Sequence, residues 1–263
     1  MIDLVTKYFD KVTVVLNTAS PIDMTWDNDK IDSVLWVGIC GDQGANAISA
    51  VLSGEANPSG KLTQTWAAKY EDTPTHMNYE MTNYPEGLHG PEVEYEEDIY
   101  AGYRYYDTFN VTPKFPFGYG LSYTTFDTEI DSITADSETV TVQATVTNTG
   151  DVAGKEVVQV YYSAPDGKME KAYQELAAFA KTDLLQPNEK QTLTMTYQVK
   201  NMASYDEETA RYVLEPGDYV VRVGNSSRNT HVGAVITLDD LAVTEQLSNH
   251  MEEAIPLSRF TKE

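Results

Sequence analysis

The chain has 263 residues, and at about 150 residues per domain this length predicts about two domains. Its 41 acidic and 18 basic residues give a net charge of −23, which argues against binding to nucleic acid or to anionic membranes. No apolar run reaches the roughly 20 residues that span a bilayer. The first residues also lack a signal-peptide pattern, which slightly favours a cytoplasmic location.

Residues 1–72 show the pattern expected at the end of an α/β sandwich domain. Ile2, Val5 and Phe9 share one helical face, which predicts a helix over residues 2–10 with one buried stripe. Since no cap residue precedes this helix, we expect the natural protein to extend further toward its N terminus.

Two short apolar runs, residues 12–16 and 33–40, predict strands covered on both faces. A helix over residues 45–52 should follow and end at Gly54. The residues on its apolar face are Ala47, Ile48, Val51 and Leu52. This order predicts a strand-loop-strand-helix layer.

Residues 73–122 form an aromatic- and proline-rich connecting region. Eleven aromatic residues lie between positions 95 and 126, a segment we call the aromatic strap. Leaving such rings exposed would forgo about 1.5 to 3 kcal/mol each. We therefore expect the strap to be buried between the α/β layer and the domain that follows it.

Residues 123–243 alternate apolar and polar side chains, as at 140–147 and 193–199. About seven strands separated by turn residues predict an all-β, fibronectin type III-like sandwich. Residues 244–263 lose this alternation and are expected to be a connector or a frayed helix.

Three groups of residues were weighed as functional sites. Gly38, Gly41 and Gly44 follow a strand, but their spacing favours a tight strand-to-helix turn over a phosphate site. The acidic run from Glu92 to Asp98 favours a face that is solvated or paired with Arg104 over a catalytic carboxylate pair, because neighbouring side chains on a strand point to opposite faces. The four histidines and single cysteine lack metal-ligand spacing, so we expect no metal site and no cofactor.

Four motifs, in this order, resemble the C-terminal half of glycoside hydrolase family 3 β-glucosidases. They are residues 17–22 (NTASPI), 54–62 (GEANPSGKL), 95–107 (YEEDIYAGYRYYD) and 115–126 (FPFGYGLSYTTF). The resemblance continues into the predicted sandwich at 148–157, 159–161, 216–217 and 222–224.

The resemblance implies a retaining, exo-acting enzyme with three parts. A barrel carries an Asp nucleophile, an α/β sandwich lends a Glu acid/base, and a fibronectin type III-like domain follows. The barrel is missing here, and the acid/base lies upstream of the strand matching residues 12–16, so we expect no catalytic residue in this chain. Asp42 and Tyr95 are the expected substrate-binding residues, although residues 41–44 depart from the family pattern at this loop.

Two functions follow from this. The chain is either the non-catalytic C-terminal portion of a β-glucosidase, whose partners are a β-glucoside or oligosaccharide and the missing barrel, or a stand-alone carbohydrate or cell-surface binding module that uses tyrosine faces. A homo-oligomer is compatible with both. The tail 244–263 would be either a connector to another domain or an ordinary disordered end.

Overall fold

The structure is a computed structural model that describes residues 1–26, 29–76, 95–250 and 258–262. A small α/β layer comes first, the aromatic strap follows, and an all-β sandwich makes up most of the rest. This confirms the predicted fold class. Within these ranges, no helix has the length and apolar character needed to cross a bilayer.

The α/β layer is built on two parallel strands, β1 (Thr13–Leu16) and β2 (Ser33–Trp36). Helix α2 (Gly44–Ser53) follows and stops at Gly54, whose φ of +81° is the predicted left-handed cap. A small apolar cluster lies beneath the strands and consists of Leu16, Met24 and Trp66.

This layer is more open than the sequence predicts. The first helix, α1, covers only Ile2–Val5, and Phe9 of the predicted stripe is 65% exposed. Val15 on β1 and Leu52 on α2 are also exposed, and α2 buries none of its side chains. A parallel sheet needs a layer on each face, and the described part of the chain supplies only part of that cover. Strand β2 ends before residue 40 because the chain turns at Gly38, whose φ is +63°.

The aromatic strap contains one short helix, α3 (Tyr103–Thr108), and its rings face inward. Tyr100 and Tyr106 are buried, and most of the other rings are half-buried. The exposed rings are Tyr95 and Tyr123, one at each end of the strap. The prediction that the strap packs its aromatic residues is thus confirmed for its central part.

Single 3₁₀ turns lie at Tyr70–Asp72 and Val199–Met202.

The sandwich contains ten antiparallel strands rather than about seven. They are β3 (Phe126–Ala135), β4 (Thr139–Asn148), β5 (Val157–Ser163), β6 (Glu175–Lys181), β7 (Lys190–Gln198), β8 (Ser204–Asp206), β9 (Arg211–Leu214), β10 (Gly217–Ser226), β11 (Asn229–Leu238) and β12 (Ala242–Gln246). One sheet has the order β11-β10-β5-β6 and the second β3-β4-β7, while β12-β9-β8 form a small third sheet.

The sandwich core follows the alternation in the sequence. Val140, Val142, Ala144 and Val146 on β4 are all fully buried, as predicted. They pack in one cluster with side chains of the facing sheet, among them Val160. Burial of each such valine stabilises the fold by about 1.5 kcal/mol or more, so this cluster accounts for much of the stability of the domain.

The beginning of the tail differs from the prediction. Residues 242–246 continue the regular structure as β12, which pairs with β9 through residues such as Val243 and Val213. Strand β12 lies at the edge of a small sheet and buries none of its side chains fully. Its sequence therefore lacks the clear apolar–polar alternation that would predict a strand. The backbone hydrogen bonds to β9 stabilise it instead.

Candidate functional site

The carboxyl ends of β1 and β2 form the edge at which open α/β sheets hold ligands. Val37 donates its N–H to Leu16 O at 3.0 Å, and Trp36 Nε1 donates to Thr18 O at 2.8 Å. These bonds hold the loop after β1 against the loop after β2. Asp42, a predicted substrate-binding residue, lies in the second loop directly before α2, and its side chain is exposed.

The turn that carries Asp42 is fixed by close packing at Gly44. A Cβ at this position would lie 2.2 Å from Cys40 Cβ, which is far inside van der Waals contact. Gln43 precedes the helix and accepts a hydrogen bond from Asn46 Nδ2 at 2.6 Å. The glycine at position 44 is therefore explained by the strand-to-helix turn.

Tyr95, the second predicted substrate-binding residue, starts the aromatic strap and is 76% exposed. Its carbonyl accepts the N–H of Asp98 at 3.0 Å, which closes a turn. Among the described residues, no hydrogen bond, ion pair or ring contact joins Tyr95 to Asp42. Both side chains are exposed, and their role in a cleft stays a proposal.

The acidic run is only partly solvated. Glu92 and Glu94 lie outside the described residues. Glu97 is 8% exposed, and its Oε2 receives no hydrogen bond from the described part of the chain. No ion pair joins Arg104 to Glu96, Glu97 or Asp98, the described carboxylates of the run. Helix α3 directs Arg104 toward β6, where it lies 2.7 Å from Glu175.

Two of the recognised motifs pack directly against each other. Leu62 donates its N–H to Tyr119 O at 2.8 Å, and Gly118 donates back to Leu62 O at 2.8 Å. The next pairing joins Trp66 and Phe115, whose rings also meet edge to face. The motif at 54–62 and the end of the strap therefore form a joint between the α/β layer and the strap.

The same joint reaches the sandwich through two polar residues of the 54–62 motif. Asn57 donates to Ala153 O at 3.0 Å and accepts from Ser122 Oγ at 2.9 Å. Lys61 lies 2.7 Å from Glu156, and both side chains are almost fully buried. These contacts make the motif structural: it joins three parts of the chain.

The middle of the strap is bound to the sandwich by ring contacts and by ion pairs, one of which has a buried carboxylate. Tyr103 stacks on Phe117 at 4.8 Å and meets Tyr161 edge to face at 6.0 Å. Arg228 Nε lies 2.6 Å from Asp107 Oδ1. Burial raises the pKa of Asp107 above its usual value, and the hydrogen bonds and charge around it offset this only in part.

No cluster of three or more His, Cys, Asp or Glu in the described ranges is arranged to hold a metal ion. The carboxylates described above include no pair that is placed across a cleft. The described contacts therefore hold parts of the chain together, and Asp42 and Tyr95 are exposed side chains outside these contacts.

Comparison with known proteins accounts for this arrangement. The glycosyl hydrolase family 3 C-terminal domain model matches residues 1–123, and the fibronectin type III-like domain model matches residues 156–227. The chain belongs to glycoside hydrolase family 3. It is 40% identical to β-glucosidase A of Butyrivibrio fibrisolvens over 95% of its own length, and 39% identical to a β-glucosidase of Ruminococcus albus over 97%.

Solved β-glucosidase structures contain the same fold. The chain superposes on a β-glucosidase of Paenibacillus barengoltzii with a TM-score of 0.87 at 43% identity, covering 94% of this chain and 28% of that one. A Kluyveromyces marxianus β-glucosidase in complex with glucose gives a TM-score of 0.85 at 33% identity, covering 94% of this chain and 29% of that one. The chain spans 32% and 27% of the lengths of the Butyrivibrio and Ruminococcus relatives, so it corresponds to a C-terminal part of the family 3 architecture.

Sequence reasoning missed the joint residues of this family 3 chain. Asn57 and Lys61 lie more than 90 residues from their partners Ala153 and Glu156, and only the fold brings them together. One signal was available: Asn57 and Lys61 lie in the recognised 54–62 motif, and Glu156 lies in the recognised stretch 148–157. Glu97 was missed because its acidic neighbours made the whole run look solvated.

Proposed function

We propose that the chain is the non-catalytic C-terminal portion of a retaining, exo-acting β-glucosidase, which hydrolyses terminal β-D-glucosyl residues. The observation that carries this proposal is the match along nearly the whole chain to β-glucosidases of which it covers only about 30%. In the complete enzyme, Asp42 and Tyr95 would contribute to the wall of the cleft. The 54–62 joint would hold that wall against the sandwich.

The remaining parts of the enzyme would be a barrel domain and the upstream part of the α/β domain. A retaining mechanism needs a nucleophile and an acid/base about 5 to 5.5 Å apart. We assign neither role to any described carboxylate. The exposed apolar side chains of the α/β layer are suited to packing against further protein. The glucose bound to the Kluyveromyces relative supports a glucosyl substrate.

The alternative of a stand-alone binding module receives less support. A stacking platform needs several exposed rings on one face, whereas most rings of the aromatic strap face inward. Tyr95 remains as a single exposed ring at its start.

The test is an assay with an aryl β-glucoside. The purified chain should show no turnover alone, and turnover should appear when it is mixed with a separately expressed polypeptide that carries the parent's barrel and the upstream part of the α/β domain. D42N and Y95F should raise KM in the mixture. Turnover by the isolated chain that is lost in E97Q would instead place catalysis within these 263 residues.

A further inference from the structure

The residues near the C terminus return to the start of the aromatic strap. Phe260 donates its N–H to Glu96 O at 2.8 Å, and its ring lies 5.7 Å from Tyr105 and 6.1 Å from Phe109. We call residues 258–262 the tail segment. It is separated by more than 150 residues of sequence from the turn that it contacts, so its position here reflects specific packing.

Two cations of the tail segment lie among carboxylates. Arg259 is 3.0 Å from Glu207 and 3.5 Å from Asp98, and Lys262 is 2.5 Å from Asp166. The protein carries a net charge of −23, so these two cations reduce repulsion where the strap, the sandwich and the tail meet. The groups involved are partly exposed, which makes the attraction sensitive to salt.

The tail segment contacts the turn that carries Tyr95. This turn is closed by Asp98 N–H on Tyr95 O at 3.0 Å and by Tyr100 N–H on Glu97 O at 2.6 Å. Asp98 has a φ of +45°, a conformation that a residue other than glycine keeps only when its surroundings stabilise it. The tail contacts Glu96 and Asp98, on either side of the buried Glu97.

We propose that the tail segment is a positioning element for this turn: docking of Phe260, Arg259 and Lys262 fixes the turn and thereby places Tyr95 on the cleft wall. The role of Tyr95 rests on the proposed function, whereas the docking itself does not. Since the docking combines a ring contact with ion pairs, it should weaken both when the ring is removed and when salt is added.

The first test measures hydrogen exchange at the amides of Asp98 and Tyr100 in the 263-residue chain. F260A should speed exchange about tenfold, because losing the ring contacts with Tyr105 and Phe109 weakens the docking of the tail segment. Exchange within β4 should stay unchanged. F179A is the matched control, because Phe179 is 68% exposed on β6, and it should leave the turn unaffected. Equal exchange in F260A and F179A would overturn the proposal.

A second variant separates charge from ring packing. In the unmodified chain, raising the salt concentration from 0.05 to about 0.5 M should speed exchange at the turn, because the Debye length falls several-fold. The double variant R259Q/K262Q should exchange faster at low salt and show little further change. A salt response that is the same in the double variant would show that the ion pairs do not hold the turn.

The link to function is tested in the mixture with the barrel polypeptide. F260A should raise KM several-fold with little change in kcat, and F179A should change neither. Activity in the mixture with identical KM for both variants would refute the positioning role alone. No activity in any mixture, with the exchange difference intact, would refute the proposed function and leave the docking established.

Discussion

At the scale of single residues, Lys171 and Glu215 form a buried ion pair in the sandwich. The two charged atoms lie 2.5 Å apart, and both side chains are buried. Glu215 also accepts the N–H groups of Lys168 and Met169. Burial alone would raise the pKa of Glu215, but the Lys171 ammonium and these N–H donors outweigh it and lower the pKa below 4.5.

The lowered pKa gives a pH prediction. A carboxyl group whose pKa is lower in the folded state adds stability above its unfolded pKa, and this stability is lost as the pH falls through the folded value. We expect the free energy of unfolding to decline from about pH 4.5 downward, and E215Q should remove this pair's share of that decline.

E215Q should also cost about 3 to 5 kcal/mol at neutral pH, because it leaves the Lys171 charge buried without a counter-ion. The measurement is urea unfolding followed between pH 7 and pH 3. K171M/E215L is the control, since removing both charges should cost much less than removing one. A neutral E215Q would contradict the assigned role of the pair.

At the scale of elements, the aromatic strap depends on ring packing against the sandwich. F117A removes a half-buried ring that stacks on Tyr103, so it should cost about 3 kcal/mol in the free energy of unfolding. F179A removes an exposed ring and should stay within about 0.5 kcal/mol of the unmodified chain. Thermal and urea unfolding measure both, and equal stabilities would mean that the strap does not support the fold.

The joint between the 54–62 motif and the strap can be tested with two glycines. A Cβ on Gly120 would lie 2.3 Å from Gly60 O, whereas a Cβ on Gly60 meets nothing within 4 Å. G120A should therefore destabilise the chain by about 1 to 3 kcal/mol, because the backbones must separate. G60A, on the other side of the same joint, should leave the free energy of unfolding almost unchanged in the same urea titration.

How far the sequence predicts each element depends on where its stabilising contacts come from. Strand β4 was predictable because its alternating valines line a core within the sandwich. The helix predicted over 2–10 shortened to α1 because its apolar stripe has little to pack against, and so short a helix is marginal without packing. Strand β12 and the pairing of Arg104 with Glu175 depend on neighbours distant in sequence, and no local pattern reports those. The distance between Asp42 and Tyr95 likewise cannot be predicted from a local sequence pattern.

At the scale of the whole molecule, the sandwich and the α/β layer differ in the size of their buried apolar cores. The sandwich encloses a continuous core. The α/β layer has two strands and a four-residue first helix, and it exposes apolar side chains such as Val15 on β1 and Leu52 on α2. Because the 54–62 joint ties both parts to the strap, we expect them to unfold in one transition, although one part has a much smaller core. Calorimetry that resolves two separate transitions would contradict this.

Among the described residues β1 and β2 pair only with each other, so each has an open edge that affects how the isolated protein should behave in solution. Unpaired strand edges promote association, and at neutral pH the charge of −23 opposes it by repulsion. Near the isoelectric point of 4.4 this repulsion disappears, so light scattering should detect precipitation there, and high salt should lower the solubility at pH 7. V15K places a charge on the β1 strand and should delay precipitation, whereas V152K, at an exposed position in a sandwich loop, adds the same charge and should have a smaller effect. The colloidal stability of the chain would then be limited by a sheet of two four-residue strands.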